Sequence, residues 1–167
     1  MGTLLYEKIK AICDSKEKVL FFIDMDGTIA EYTFFTKEFK ERNRDGLFVN
    51  LRPLTSVIKC IEKTKEIPNI ELYILSLCKY NSDIIQKVEW LGKHAPFIKR
   101  ENIFILTREN LEYTPETIAD VKAKFINEFL KEDEHAIFLE DTHKNMEKAK
   151  DLLGGQIDNF HISSFIE

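Results

Sequence analysis

Short apolar runs alternate along this chain with longer segments in which apolar residues recur every three or four positions. The short runs predict β-strands, and the periodic segments predict helices that each place one apolar face against a core. The predicted strands lie at 19–23, 70–75, 103–106, 136–139 and 160–162, and the predicted helices at 54–66, 82–95, 115–132 and 143–155. Such alternation is typical of a parallel sheet covered by helices on both faces. We therefore predict an α/β fold with three layers around a Rossmann-like parallel sheet of five strands.

The segment 31–50 departs from both periods, since it is charged in its middle and aromatic at its edges. We interpret it as an insertion that forms a flap over one end of the sheet. It is about twenty residues long, which is enough for a flap but short for a cap domain. No linker or repeat divides the rest of the chain, so we predict a single domain over 1–167 that contains this flap.

The charge balance argues against a general nucleic-acid binder. Lys and Arg number 24 against 29 Asp and Glu, which gives a net charge of −5, whereas proteins that bind phosphate backbones carry basic surfaces. No apolar run is long enough to span a bilayer, and the first residues lack the core of a signal peptide. We therefore expect a cytoplasmic protein. Cys13, Cys60 and Cys78 are widely spaced, and we expect them to be reduced structural thiols.

Acidic and hydroxyl side chains follow several of the predicted strands. Asp24 and Asp26 come after the first strand, Ser76 after the second, and Glu140 and Asp141 after the fourth. Ligands of parallel sheets bind at the carboxyl ends of the strands, so we expect these residues to meet at one edge. Carboxylates gathered in one crevice require a cation between them, and oxygen ligands suit Mg²⁺.

The stretch "DMDGT" at 24–28 resembles the first motif of the haloacid dehalogenase (HAD) superfamily of phosphohydrolases. The resemblance implies that Asp24 is the nucleophile and Asp26 the general acid and base. It also implies that Gly27 and Thr28 form the turn that holds the phosphate. The stretch "YILS" resembles the second motif, in which the hydroxyl of Ser76 would donate to the phosphoryl oxygens.

The third HAD motif is a lysine that precedes the last catalytic strand. Lys122 and Lys124 both fit that position, and we prefer Lys122 because it lies at the start of its predicted helix. The stretch "IFLEDTHKN" resembles the fourth motif, with Asp141 as a metal ligand and Glu140 beside it. Many relatives carry an acid where this chain has Asn145, so its contact with the metal is expected to be weaker or through water.

Taken together, the resemblance implies an Mg²⁺ site with a defined set of ligands and a defined strand order. The expected ligands are Asp24, Asp26, Glu140, Asp141 and Asn145. Right-handed crossovers and the resemblance both favour the order 3-2-1-4-5 in the sheet. We expect Asp24, Ser76 and Asp141 to converge at one edge.

The substrate is less constrained than the chemistry. The chain is similar to the 5′-nucleotidase-like branch of the superfamily, in which an aromatic-rich segment follows the first motif. Aromatic residues of the flap could contact a nucleobase or simply pack on the sheet, and its arginines could bind a phosphate or remain solvated. These residues are Phe34, Phe35, Phe39, Phe48, Arg42, Arg44 and Arg52.

The predicted function is Mg²⁺-dependent hydrolysis of a small phosphomonoester, such as a nucleoside monophosphate, through an aspartyl-phosphate intermediate. Two alternatives stay open at this point. The same chemistry could act on a nucleic-acid end or a phosphoprotein, because a site without a cap admits large substrates. The fold could also serve as a non-catalytic binding module, although the intact pair Asp24 and Asp26 argues against that.

Overall fold

A computed structural model describes residues 3–32 and 36–165, and its centre is a five-stranded parallel sheet. The strands are β1 (Lys18–Ile23), β2 (Ile70–Cys78), β3 (Ile103–Thr107), β4 (Glu134–Glu140) and β5 (Ile157–His161). They lie in the order β3-β2-β1-β4-β5, and every neighbouring pair is parallel. The predicted fold class and strand order are confirmed.

Helices cover both faces of this sheet. They are α1 (Thr3–Asp14), α2 (Lys37–Arg42), α3 (Thr55–Thr64), α4 (Asn81–His94), α5 (Ile118–Phe129) and α6 (His143–Leu153). Apolar residues of α1, α3 and α4 form one buried cluster, and those of α5 and α6 form a second cluster on the opposite face. Within the described residues, none of these helices is long and apolar enough to cross a membrane.

The central strand β1 is apolar along its length because it contributes to both clusters. Phe21 and Ile23 belong to the cluster of α1, α3 and α4, whereas Leu20 and Phe22 belong to the cluster of α5 and α6. Alternate side chains of a strand point to opposite faces, so a strand covered on both sides needs apolar residues at every position. The result is a rigid strand that ends directly at Asp24.

The last strand differs from its prediction. An apolar run at 160–162 was expected to form it, but β5 covers Ile157–His161, and Ile162 begins a 3₁₀ turn. Gly154 ends α6 with a φ of 56°, and β5 starts soon afterwards. As an edge strand, β5 is only partly buried and carries Asp158 and Asn159, so it lacks the continuous apolar pattern of a central strand.

The described residues of the segment 31–54, which joins the turn after β1 to α3, contact α4. Phe34 and Phe35 lie outside the described residues, and the remainder contains the short helix α2 and a 3₁₀ turn at Arg44–Gly46. Its role as a flap stays a prediction.

Three side chains on one face of α4 hold this segment. Asp83 accepts two hydrogen bonds from Arg44, at 2.6 and 2.8 Å. Gln86 accepts from the backbone N–H of Phe48 at 3.0 Å and donates to the carbonyl of Arg44 at 2.7 Å. Trp90 is fully buried and donates from Nε1 to the carbonyl of Leu51 at 2.7 Å. These contacts place Phe48 beside the end of β2.

Elsewhere, the three cysteines are buried free thiols, as expected.

Candidate active site

The loop after β1 forms a tight turn that begins at Asp24. The backbone N–H of Asp24 still donates to the carbonyl of Leu139 in β4, at 3.0 Å, so this residue is fixed by the sheet. The carbonyl of Met25 then accepts hydrogen bonds from the N–H groups of 28, 29 and 30, at 3.2, 3.0 and 2.9 Å. Thr28 is buried, and its hydroxyl lies 3.4 Å from Asp24 Oδ2. The turn therefore holds the Asp24 carboxylate at the edge of the sheet.

Gly27 is required in this turn for two separate reasons. Its φ of 83° belongs to the left-handed region, which side chains other than hydrogen disfavour. A Cβ atom at position 27 would also lie 2.2 Å from Asp141 Oδ2. The missing side chain therefore provides the space in which the Asp141 carboxylate approaches the turn.

Lys122 from α5 joins two buried carboxylates on one face of the sheet. Its Nζ atom lies 2.6 Å from Asp24 Oδ1 and 2.6 Å from Glu140 Oε2. Lys124 instead has a side chain that is 72% exposed and lies 3.6 Å from Glu128. Of the two candidate lysines, the structure thus places Lys122 beside Asp24 and Lys124 on the surface.

Glu140 is fully buried and uses both of its carboxylate oxygens within the protein. Oε1 accepts from the backbone N–H groups of Asp141 and Thr142, at 3.1 and 3.3 Å, while Oε2 accepts from Lys122. The side chain of Asn145 also hydrogen-bonds to Glu140 and favours its ionised form. Asn145 therefore acts on the carboxylate of Glu140 in this structure.

The pKa values of these groups are shifted by burial and by their neighbours. Burial raises the pKa of Asp24 to about 7, because it outweighs the opposing effect of Lys122, and the charges of Glu140 and Asp26 add to the rise. Burial likewise raises the pKa of Glu140 against the effect of Lys122. Burial alone would lower the pKa of Lys122, but Asp24 and Glu140 hold it above its ordinary value. Lys122 is thus shared by two buried carboxylates, and the charge of Glu140 disfavours ionisation of Asp24.

Asp26 is paired with a second buried lysine, Lys87 of α4, on the opposite face of the sheet. Lys87 is fully buried, and its Nζ atom also donates to Ser76 Oγ at 2.9 Å and to the carbonyl of Leu77 at 3.3 Å. The ring of Phe48 lies 4.7 Å from the same atom. Ser76 itself lies within β2, two positions before its end, rather than after the strand as predicted.

The sequence pattern did not single out Lys87, although it contains a signal. Lys87 precedes Trp90 and Leu91 by three and four positions, so it belongs to the apolar face of α4. A lysine on the buried face of a helix requires an anionic partner, since burial of an unpaired charge is costly. That requirement points to a carboxylate at the sheet edge, and the partner is Asp26.

Asp24, Glu140 and Asp141 form the group of carboxylates that could bind a metal ion. One oxygen from each lies within 4.8 Å of the others. The expected ligand Asp26 does not join this group in the described structure, because its carboxylate is directed to Lys87. The side chain of Asn145 contacts Glu140. The raised pKa of Asp24 and the close approach of the Asp141 carboxylate that Gly27 permits both fit a divalent cation, because a cation would offset the negative charge of these carboxylates.

A cavity of about 420 Å³ borders Asp26. Its lining includes Tyr32, Phe48 and Leu51 from the segment 31–54 and Leu77 from β2. The side chain of Asp26 is 28% exposed, which contrasts with the buried carboxylate of Asp24. The volume lies in the range of small-molecule sites.

Comparisons with solved structures identify the same fold at low sequence identity. The HAD domain of effector protein Lem4 from Legionella pneumophila superposes with a TM-score of 0.50 at 14% identity, over 87% of this chain and 88% of that one. The class C acid phosphatase from Bacillus anthracis with tungstate bound gives 0.59 at 13% identity, over 96% and 73%. A chain of the Pnkp1/Rnl/Hen1 complex gives 0.61 at 16% identity, over 88% and 47%.

A family model described as "5′ nucleotidase, deoxy (Pyrimidine), cytosolic type C protein" matches residues 36–129, which is more than half of the chain. The match contains Ser76, Lys87 and Lys122, while Asp24 and Glu140 lie outside it. No curated protein matches the chain in sequence. The family match and the shared fold agree with the motifs at the sheet edge, and we conclude that the chain belongs to this family of 5′-nucleotidases and is a HAD-superfamily phosphatase that acts on phosphomonoesters.

Proposed function

We propose that this protein is an Mg²⁺-dependent hydrolase of small phosphomonoesters, such as nucleoside monophosphates, which forms an aspartyl phosphate on Asp24. One observation carries the proposal. Asp24 and Asp26 lie one residue apart, and each is paired with its own buried lysine, Lys122 for Asp24 and Lys87 for Asp26. Two carboxylates held in different environments can perform two different tasks in one reaction.

Asp24 is the proposed nucleophile because the sheet fixes its backbone at the end of β1 and its carboxylate lies close to that of Asp141. Its Oδ1 atom is bound by Lys122, whereas the hydrogen bonds among the described residues give Oδ2 only a long contact with Thr28. In the first step Oδ2 attacks phosphorus, the bond from phosphorus to the leaving oxygen breaks, and an aspartyl phosphate forms. Rigid positioning is the main contribution that a protein makes to phosphoryl transfer.

Asp26 is the proposed general acid and base. Oδ2 is bound by Lys87, while Oδ1 is buried and has no hydrogen-bond partner among the described residues. A buried carboxylate oxygen normally has a donor, so a proton or a ligand would satisfy Oδ1. In the first step Asp26 gives a proton to the leaving oxygen. In the second step it takes a proton from water, which attacks phosphorus and releases phosphate and Asp24.

Lys122, Lys87 and Ser76 supply positive charge and a hydrogen-bond donor around the transferred group. Ser76 Oγ already accepts from Lys87, so its own hydroxyl hydrogen remains to donate to a phosphoryl oxygen. The two lysines approach from α5 and α4, on opposite faces of the sheet. Gly27 and Thr28 are proposed to shape the turn beneath the phosphate. Charge placed in advance around the phosphoryl oxygens stabilises the transition state.

Asp24 and Asp141 are the residues that we propose to hold Mg²⁺, with Glu140 adjacent to them. When bound, Mg²⁺ would offset the negative charge of the phosphoryl group and of these carboxylates. Both carboxylate oxygens of Glu140 accept hydrogen bonds, one from Lys122 and the other from backbone N–H groups, so we propose that its main role is to orient Lys122. Asn145 supports Glu140 in turn, and the proposed role of Asp26 is proton transfer rather than metal binding.

The small cavity beside Asp26 supports a small-molecule substrate, and the segment 31–50 is proposed to act as a lid over it within a single domain. The family description names a cytosolic type of nucleotidase, which supports the proposal of a cytoplasmic enzyme. Phe48 and Tyr32 line the cavity, so they are the aromatic residues placed to contact a base or sugar.

The metal requirement is tested by two measurements on the same variants. We expect Mg²⁺ to support hydrolysis of nucleoside monophosphates and nitrophenyl phosphate, and a chelator to abolish it. We also expect Mg²⁺ to raise the melting temperature of wild type, because it binds only the folded site. Asp141→Asn should lose both effects, whereas Lys124→Gln should keep them. Full hydrolysis in chelator would overturn the metal-dependent mechanism.

A further inference from the structure

We propose that the cavity beside Asp26 selects phosphomonoesters whose leaving group carries a second anionic group, a small bisphosphate being the simplest case. The inference rests on the proposed function and names the substrate class of the same site. It depends on the charges that line the cavity and on which of them are compensated within the protein.

The leaving group must extend into this cavity because Asp26 lies in its wall. The general acid protonates the leaving oxygen, so the rest of the leaving group is held within reach of Asp26. The cavity of about 420 Å³ is bounded there by Phe48 and Leu51 on the side of the segment 31–54 and by Leu77 on the side of β2. Any polar group of the leaving group therefore meets the remaining lining residues.

Most charges that line the cavity are already paired. Arg44 is bound to Asp83 at 2.6 Å, and Asp26 is bound to Lys87. Glu31 lies 3.4 Å from Arg52. These pairs leave little net charge for a substrate to meet.

Three further cations of the lining have no such partner. Lys40, Lys79 and Arg108 form no ion pair with any of the residues that the structure describes. Lys79 extends over the ring of Tyr80, at 4.8 Å, and Arg108 over the ring of Tyr113, at 5.4 Å. The protein as a whole is acidic, with a net charge of −5. The positive charge of these three side chains is therefore a local feature of the cavity and does not follow from the composition of the chain.

The backbone holds Lys79 and Arg108 next to each other. They follow the adjacent parallel strands β2 and β3, and the N–H of Arg108 donates to the carbonyl of Cys78 at 3.2 Å. The hydroxyl of Tyr113 donates to the same carbonyl at 2.6 Å. Both side chains line the cavity, so an anionic group that enters it can be attracted by the two charges. Backbone anchoring therefore creates a place for an anionic group at the far end of the leaving group.

The test compares two substrates that differ only in the second anionic group, a nucleoside 5′-monophosphate and the matching 3′,5′-bisphosphate. We expect wild type to show a kcat/KM for the bisphosphate about tenfold higher, and a lower KM to account for it, since each exposed cation contributes modestly. Lys79→Gln combined with Arg108→Gln should remove this preference and change the monophosphate less than twofold. Lys124→Gln, which removes a distant surface charge, should leave the preference intact.

Binding to the Asp24→Asn variant provides a second readout that needs no turnover. Titration with each nucleotide should give a lower Kd for the bisphosphate, and high salt should reduce the difference. Equal affinities, or a preference that survives in the double variant, would overturn the proposal. A 5′-phosphorylated oligonucleotide preferred over the bisphosphate would likewise overturn the assignment to a small molecule. Absence of Mg²⁺-dependent turnover of any substrate, nitrophenyl phosphate included, would instead refute the proposed function, while the titration still decides this proposal.

Discussion

Asp24 and Asp26 are separated by a single residue, but their carboxylates lie in different environments. Asp24 is 4% exposed, and burial near Glu140 raises its pKa to about 7 despite the contact with Lys122. The side chain of Asp26 is 28% exposed, borders a cavity and is paired with Lys87 from the other face of the sheet. The chain turns by means of Gly27 directly after them.

The difference matches the two roles that we propose for this turn, a nucleophile and a general acid. Asp24 is buried beside other carboxylates, so its ionised form requires cations nearby. Its carboxylate is also held in one position, as the proposed role of nucleophile requires. Asp26 adjoins the cavity, which in the proposed mechanism admits the leaving group and a water molecule. Each lysine is paired with one of the two aspartates. Variants at these four positions should therefore differ in turnover and in stability.

The largest effect is expected for Asp24→Asn. The amide keeps the size of the carboxylate but is a poor nucleophile, so turnover should fall on the order of 10⁵-fold, or about 7 kcal/mol, for all leaving groups. Kinetic assays with nitrophenyl phosphate and with a nucleotide measure this loss. Beryllofluoride, a phosphate mimic, should bind stably to wild type and not to the variant.

Normal folding of Asp24→Asn, checked by circular dichroism, is the control for that experiment. If the variant retains most of its activity, Asp24 does not form an aspartyl phosphate, and the remaining interpretation is a metal ligand that activates water.

Removal of the two lysines should cost different amounts of stability. Lys122→Met leaves Asp24 and Glu140 buried without their cation, and we expect the free energy of unfolding to fall by about 3–5 kcal/mol. Lys87→Met leaves one carboxylate that solvent can reach, so the expected loss is smaller, about 1–3 kcal/mol. Urea denaturation in chelator measures both. Equal losses would contradict the contrast between the two environments.

The smallest effect concerns the leaving group in Asp26→Asn. Loss of the general acid should slow hydrolysis of a nucleotide about 10²-fold more than hydrolysis of nitrophenyl phosphate, because nitrophenolate leaves without a proton. Parallel measurements of kcat/KM for both substrates give this ratio. Lys122→Gln serves as the matched variant, since loss of a charge on the other face of the sheet should slow hydrolysis of both substrates alike. If the ratio of the two kcat/KM values is the same in Asp26→Asn and in Lys122→Gln, Asp26 is not the acid.

The fold could be predicted from the sequence because its pattern is local. The runs at the centre of β1 and β4 are continuously apolar, and such runs are typical of strands that are covered on both faces. The motif residues Asp24 and Asp141 were predicted to converge for a similar reason, because the carboxyl ends of parallel strands share one edge. The structure brings their carboxylates together around the turn at Gly27.

The parts that could not be predicted depend on long-range contacts. Lys87 contacts Asp26 across sixty-one positions of sequence, and no spacing rule connects a helix residue to a strand end at that distance. The sequence therefore does not identify Lys87 as a site residue, although its position on the apolar face of the helix indicates that it is buried. The edge strand β5 started earlier than predicted because an exposed edge tolerates Asp158 and Asn159. The cations Lys79 and Arg108 become neighbours only through the pairing of β2 with β3.

The contacts that α4 makes with the segment 31–54 also bear on local unfolding. Asp83, Gln86 and Trp90 hold the segment, and Lys87 lies on the same helix between them. A fluctuation that withdraws this face of α4 releases the segment and removes Lys87 from Asp26 in one event. The amide hydrogen of Phe48, which is bonded to Gln86, should therefore exchange with solvent together with the amides of α4. If the segment is the proposed lid and Asp26 the proposed acid, covering of the cavity and alignment of the acid belong to one cooperative unit and are lost together.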